Sequence, residues 1–172
     1  MFEDGVAAYR RGDYATALRL FRLAAEQGVA QAQFFFGIMY DNGRGVQQDH
    51  AEAVKWYRKA AEQGYALAQN NLGFRYRDGK GVPQDDAEAA KWYQMAAEQG
   101  DAGAQFNLGL MYANGRGMQQ DYVSAHMWFD LSAASGNEEV QKYWDTVASF
   151  MTPDQIAEAQ RMAREWLAKH QQ

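Results

Sequence analysis

One interval constrains this chain more than any other feature. Ala24-Ala25-Glu26-Gln27-Gly28 returns 36 residues later at 60–64 and again at 96–100, then decays to Ala133-Ala134-Ser135-Gly136. Gly37, Gly73 and Gly109 keep the same step, as do Tyr40, Tyr76 and Tyr112, Asp49, Asp85 and Asp121, and Trp56, Trp92 and Trp128. Segments 30–65 and 66–101 agree at 21 of 36 positions. A period of this length is the signature of a stacked repeat, in which one supersecondary unit cannot bury its own apolar faces and must use its neighbours.

Each unit reads as two helices. Ala66, Gln69, Leu72, Gly73 and Tyr76 fall at three- and four-residue spacing, which is one face of a helix, and Gly79 and Gly81 break it. Asp85 with Glu88, and Asp49 with Glu52, have the spacing of a capping box that opens the second helix. Ala89, Trp92, Tyr93, Ala96 and Ala97 form that helix's buried stripe, and Gly100 ends it. Trp56, Trp92 and Trp128, with Tyr57, Tyr93 and Phe129, are expected in the core between pairs. At the C-terminal end, 138–150 reads as a further first-type helix with Tyr143, Trp144, Val147 and Phe150 apolar. Thr152, Pro153 and Gln155 open a last helix whose stripe is Ile156, Ala159, Ala163, Trp166 and Leu167. Ten helices in one domain are expected, the last covering the open end of the stack as a cap.

Composition agrees. Apolar residues make up 47% and aromatics 14%, enough to bury a core, and Val/Ile/Thr-rich alternating runs that would signal strands are absent. Seventeen basic against 22 acidic residues leave a net charge of -5, which offers nothing to attract a polyphosphate backbone, so nucleic acid is excluded as the expected partner. There is no Cys, hence no disulfide framework, thiolate metal site or cysteine nucleophile. No apolar run approaches the ~20 residues of a membrane span.

No candidate chemistry stands out. Gly43-Arg44-Gly45, Gly79-Lys80-Gly81 and Gly115-Arg116-Gly117 pair glycine with a cation, as phosphate loops do, yet no strand precedes them and no Lys-Ser/Thr follows. They read as inter-helix connections. His50, His126 and His170 stand in different elements without a second ligand at helical spacing, so no metal or cofactor is expected. Ser124, Ser132, Ser135 and Ser149 lack a nucleophile elbow, and Asp85, Asp86 and Glu88 suit a helix N-terminus rather than acid/base work.

The pattern A-x-A-Q-x-x-L-G-x-x-Y-x-x-G-x-G-V-x-Q-D-x-x-x-A-x-x-W-Y-x-x-A-A-E-Q-G resembles the Sel-one-like repeat (SLR), a relative of the tetratricopeptide repeat (TPR). The resemblance implies an all-α, superhelical α/α solenoid with units at 30–65, 66–101 and 102–137 and C-terminal helices at 138–172. Residues 1–29 resemble an ordinary TPR: Gly5 to Ala17 spans 12 residues, against 16 for Gly37 to Ala53 and its later equivalents.

The resemblance also implies that first-type helices line a concave surface. Gln31, Phe34, Phe35 and Ile38, then Leu67, Asn70, Asn71 and Phe74, then Gly103, Phe106, Asn107 and Leu110 would lie there, at positions where the units diverge. The expected function is a non-enzymatic scaffold that binds a peptide or helix of a partner protein through apolar and amide contacts. The alternatives are a β-lactam-binding hydrolase, as among cysteine-rich relatives, which the absence of Cys disfavours, and a self-associating structural protein. A monomer is expected. Relatives often begin with an export leader before a segment like 2–12, so a periplasmic location is expected if a leader was removed and a cytoplasmic one otherwise.

Overall fold

The 36-residue period becomes helices in a computed structural model that describes residues 1–171. Ten helices are present and no strand occurs among the described residues: α1 (Phe2–Arg10), α2 (Tyr14–Glu26), α3 (Ala30–Asn42), α4 (His50–Glu62), α5 (Ala66–Asp78), α6 (Asp86–Glu98), α7 (Ala102–Asn114), α8 (Tyr122–Ala134), α9 (Val140–Ala148) and α10 (Pro153–His170). They fall into two compact units, one containing α1 to α5 (Met1–Asp85) and the other α6 to α10.

Within the first unit, α1 packs on α2, α2 on α3, α3 on α4 and α4 on α5. Gly37 makes the closest approach possible: a Cβ there would lie 2.7 Å from the ring of Tyr57, which is 1% exposed. In the second unit Gly109 meets Phe129 the same way, at 2.6 Å. The small residue on the first helix and the aromatic ring on the second are therefore one packing device, repeated.

The Gln of the A-x-A-Q element is a second device. Gln33, Gln69 and Gln105 are buried, and their Nε2 groups donate to the carbonyls of Ala25, Ala61 and Ala97 at 3.2, 3.1 and 3.2 Å. Each adds a second donor to a carbonyl in the last turn of the preceding helix, which lacks the regular i+4 partner and otherwise takes the N–H of Gly28, Gly64 or Gly100. The third device folds the loop back: the N–H groups of Asp49, Asp85 and Asp121 donate to the carbonyls of Tyr40, Tyr76 and Tyr112 at 2.9 to 3.0 Å. Gln48, Gln84 and Gln120 reach the carbonyls of Asp41, Arg77 and Ala113.

Gln63 adds to the second device by donating to Gln33 Oε1 at 2.8 Å. Its equivalent beside Gln105 is Ser135, which has nearly the same backbone (φ -86, ψ 6 against φ -81, ψ -2) but bonds Leu131 O instead. Gln105 Oε1 is consequently buried without a partner. Ser135→Gln should supply the missing donor and raise unfolding free energy by about 1 kcal/mol. An unchanged urea midpoint for this variant would show that the carbonyl is already satisfied.

Capping follows the sequence in part. Thr152 and Gln155 form the complete reciprocal box. Asp49 accepts the Glu52 N–H at 3.0 Å, but the Glu52 carboxylate turns to Trp56 Nε1 (3.2 Å) and Lys55 instead of closing the box. The Asp49 N–H that would close the box already donates to the Tyr40 carbonyl. Val140 and Val147 of α9 are buried. Phe150 is 64% exposed and stacks on Tyr122 at 5.5 Å. The C-terminal helix α10 lies against α8, sealing Ala159 and Ala163 and bringing Trp166 to 6.2 Å from Trp128.

Candidate functional site

The first-type helices of the first unit that carry the expected residues are α3 and α5. On α3, Gln31 is exposed and Ile38 half-buried, but Phe34 is only 7% exposed, edge-on to Tyr65 at 5.4 Å and 6.0 Å from Tyr57. Phe35 stacks on Phe21 at 5.3 Å and lies 5.7 Å from Phe2, inside the cluster that joins α1, α2 and α3. These two rings spend most of their surface on packing within the chain. On α5, Leu67 is 45% exposed, Asn70, Asn71 and Phe74 are half-buried, and Asn71 hydrogen-bonds Tyr57.

In the second unit, Gly103 and Asn107 are half-buried on α7. Phe106 lies 5.2 Å from Tyr143 and 6.0 Å from Phe129, and Leu110 packs on the cluster of Ala125, Phe129, Val140 and Val147. The surface expected on α7 is thus partly closed by α9, whose own first-type sequence leads it to pack beside α7.

A polar centre that the periodicity alone did not reveal lies in the first unit. Asp41 of α3 is 7% exposed and receives three partners: His50 Nδ1 at 2.7 Å, the Tyr57 hydroxyl at 2.8 Å and Arg75 at 3.2 Å. It joins α3, α4 and α5 through one carboxylate. Burial and the negative Asp41 push the Tyr57 hydroxyl well above its ordinary value of 10.0, so it stays protonated and donates. The Arg75 guanidinium lies 5.1 Å from the Phe74 ring centre, and Arg77 lies 4.5 Å from the same ring. The signal was present in the register: Arg75 stands where the other units have Met39 and Met111, both core residues, and Asp41 where they have Arg77 and Ala113.

The two loop arginines have protein partners. Arg44 donates to the Tyr9 hydroxyl and lies over Tyr14 at 5.5 Å, and Arg116 grips Asp86 through two bonds of 3.0 and 3.1 Å. Tyr14 and Asp86 are the first residues of the helix one unit earlier, so these loops staple successive units. Among the described residues no helix is long and apolar enough to cross a membrane, and no group of three or more His, Cys, Asp or Glu is placed to hold a metal ion.

The chain is similar in structure to a Sel1 repeat protein from Oxalobacter formigenes, with a TM-score of 0.82 and 31% identity over 98% of this chain and 70% of that one. It is also similar to c5321, a protective antigen present in uropathogenic Escherichia coli strains displaying an SLR fold, with a TM-score of 0.69, 29% identity and coverage of 96% and 46%. It therefore spans less than half of c5321. Helicobacter pylori cysteine rich protein B shares the fold at 22% identity, with a TM-score of 0.60 over 74% of this chain and 92% of that one. No curated protein sequence matches significantly. The Sel1 repeat model matches residues 1–29, 30–65, 66–101 and 102–137, taking in the N-terminal unit with its shorter turn. With four matched repeats and the superhelical α/α repeat fold of its structural relatives, the chain belongs to the Sel1 repeat family.

Proposed function

We propose that this protein is a non-enzymatic scaffold that binds a peptide or helix of a partner protein along the face of its first-type helices. Sel1 repeat proteins are in general protein-interaction scaffolds, which sets the class. The observation that carries the finer reading is the face of α5. Leu67, Asn70, Asn71 and Phe74 recur at three- and four-residue spacing, so they share one side of the helix, and Leu67 leaves 45% of its surface exposed. A half-buried aromatic with guanidinium groups 4.5 and 5.1 Å from its ring centre gives a partner a large, pre-ordered contact at low entropic cost. Within the first unit Gln31 and Ile38 extend this contact on α3, while Phe34 and Phe35 act mainly from beneath; in the second unit, taken by itself, Phe106, Asn107 and Leu110 hold the corresponding register positions on α7.

Phe74→Asp should cut partner capture from a lysate of the source organism at least about tenfold, the loss expected when an aromatic contact anchor is removed. Helicity and melting temperature should stay within error of the parent. Equal losses of fold and of capture would sink the proposal.

A further inference from the structure

We propose that the cleft between the last turn of α8 and α9 receives a lysine or arginine side chain of a partner protein, a site separate from the α5 face. The repeat register carries the argument. Gln141 of α9 is the fourth member of the series Gln33, Gln69 and Gln105, whose side chains fill this place in the earlier units and donate to the carbonyls of Ala25, Ala61 and Ala97. Gln141 instead turns outward, is exposed, and donates to Asp145 at 3.0 Å. The Ala133 carbonyl keeps the backbone N–H of Gly136, as Ala25 keeps that of Gly28, but no side-chain donor reaches it among the described residues. What remains is a cleft of about 200 Å³ lined by Asp130, Ala133, Val140, Gln141 and Trp144.

The charge at this place is also inverted. The residues one, two and three periods before Asp130 are Gln94, Arg58 and Arg22, all hydrogen-bond donors, whereas Asp130 is an acceptor. Its carboxylate is held in position: Trp144 Nε1 donates to one oxygen at 2.6 Å and His126 Nδ1 lies 3.0 Å from the other. His126 is fully buried, in a register that elsewhere holds Leu18, Val54 and Ala90, and its ring lies 5.1 Å from that of Trp144. Its Nε2 is buried without a hydrogen-bond partner among the described residues. A buried histidine with a single bond to Asp130 is well explained as a device for orienting that carboxylate.

The cleft therefore presents a fixed carboxylate, the carbonyl end of a helix and an indole wall, three features that each attract a cation. Exposed Glu138 and Glu139 just before α9 and exposed Asp145 on it reinforce the sign, while Lys142, the helix's one cation, lies over Tyr143 at 5.2 Å. Arg164 of α10 lines a second cleft that shares Asp130, without an ion pair to it among the described residues. The geometry suits a long side chain with a terminal ammonium or guanidinium, whose stem lies along Val140 and Trp144.

The test titrates ¹⁵N-labelled protein with Nα-acetyl-arginine methylamide and Nα-acetyl-lysine methylamide, with Nα-acetyl-norleucine methylamide as the uncharged control. The Trp144 indole N–H, assigned by its loss in Trp144→Phe, reports on Asp130. The expected result is a saturable shift with both cationic probes and none with the control. Asp130→Asn should weaken binding at least about tenfold, the effect of losing one charge-assisted bond. Because that variant also disturbs Trp144, Gln141→Glu provides the second reading and should tighten binding by adding a carboxylate at the rim. No saturable shift, an equal response to the norleucine probe, or unchanged affinity in both variants would overturn the proposal. So would the same shift produced by potassium or magnesium chloride alone, which would mark an inorganic cation site.

Discussion

Gly81→Ala is expected to destabilise the first unit by about 3 to 5 kcal/mol, read as a fall in the urea midpoint at unchanged slope. Two costs combine at this residue. Its φ of +77 is a left-handed conformation, which costs an alanine about 1 to 2 kcal/mol. A Cβ there would also sit 2.2 Å from the carbonyl oxygen of His50 and 2.9 Å from the Ala51 nitrogen, and both are backbone atoms at the start of α4, which cannot rotate away as a side chain would. Gly64→Ala separates the two costs. It shares the positive φ, at +90, but its Cβ would meet nothing within 4 Å, so only the conformational cost of about 1 to 2 kcal/mol should appear. Equal losses in the two variants would refute the claim that the second loop glycine is there for contact between units.

That contact explains what the sequence could and could not say about the G-x-G loops. Their glycines and spacing were visible, and so was the absence of the residues a phosphate loop needs. The reason for the second glycine was not, because its neighbour lies 31 residues back at the preceding helix start, with Tyr14 facing Gly45 and Asp86 facing Gly117 as His50 faces Gly81. Periodicity reports which positions repeat; it does not report which of them touch. The helix pairs, the Ala and aromatic stripes and the cap at Thr152 were legible because each depends on residues within one or two turns.

The candidate surface was legible only in outline, for a related reason. Divergence between units singled out Phe34, Phe35 and Phe106, but divergence has two causes. Phe35 differs from Asn71 because α1 and α2 bring Phe2 and Phe21 against it, and Phe106 differs from Asn70 because Tyr143 lies beside it. Positions near the ends of an array meet different neighbours from those in the middle, so their side chains change for packing reasons. Leu67 and Gln31, which remain exposed, have no such neighbour to account for them. The same comparison across units, applied to polar residues in an apolar register, would have marked Arg75 from the sequence alone, but not Asp41, whose register also holds the charged Arg77.

For that pair, Asp41→Ala should cost about 3 kcal/mol of unfolding free energy. This is the lower end of the range for breaking a buried ion pair, because Arg75 and His50 keep 16% and 35% of their side-chain surface exposed. The loss arises mainly from the partners left behind: Arg75, whose Nε is already buried without a hydrogen bond, would lose the charge that compensates it. Removing both charges is a different perturbation. Arg75→Met installs the residue that fills this register at Met39 and Met111, which are 0% and 2% exposed, and Asp41→Leu supplies an apolar neighbour of similar length. The Tyr57 hydroxyl keeps Asn71, and His50 can turn to water. The double variant should therefore regain most of the loss shown by Asp41→Leu alone, giving a coupling energy of about 2 kcal/mol or more across the cycle of parent, Asp41→Leu, Arg75→Met and the double variant. Additive losses would mean that the carboxylate and the guanidinium act independently, and that Phe74 does not depend on Asp41 for the position of the cation beside it. If coupling is found, the same double variant becomes a probe of binding: it retains the fold while removing one of the two guanidinium groups over Phe74, so weaker capture by an otherwise stable protein would assign Arg75 to the contact itself.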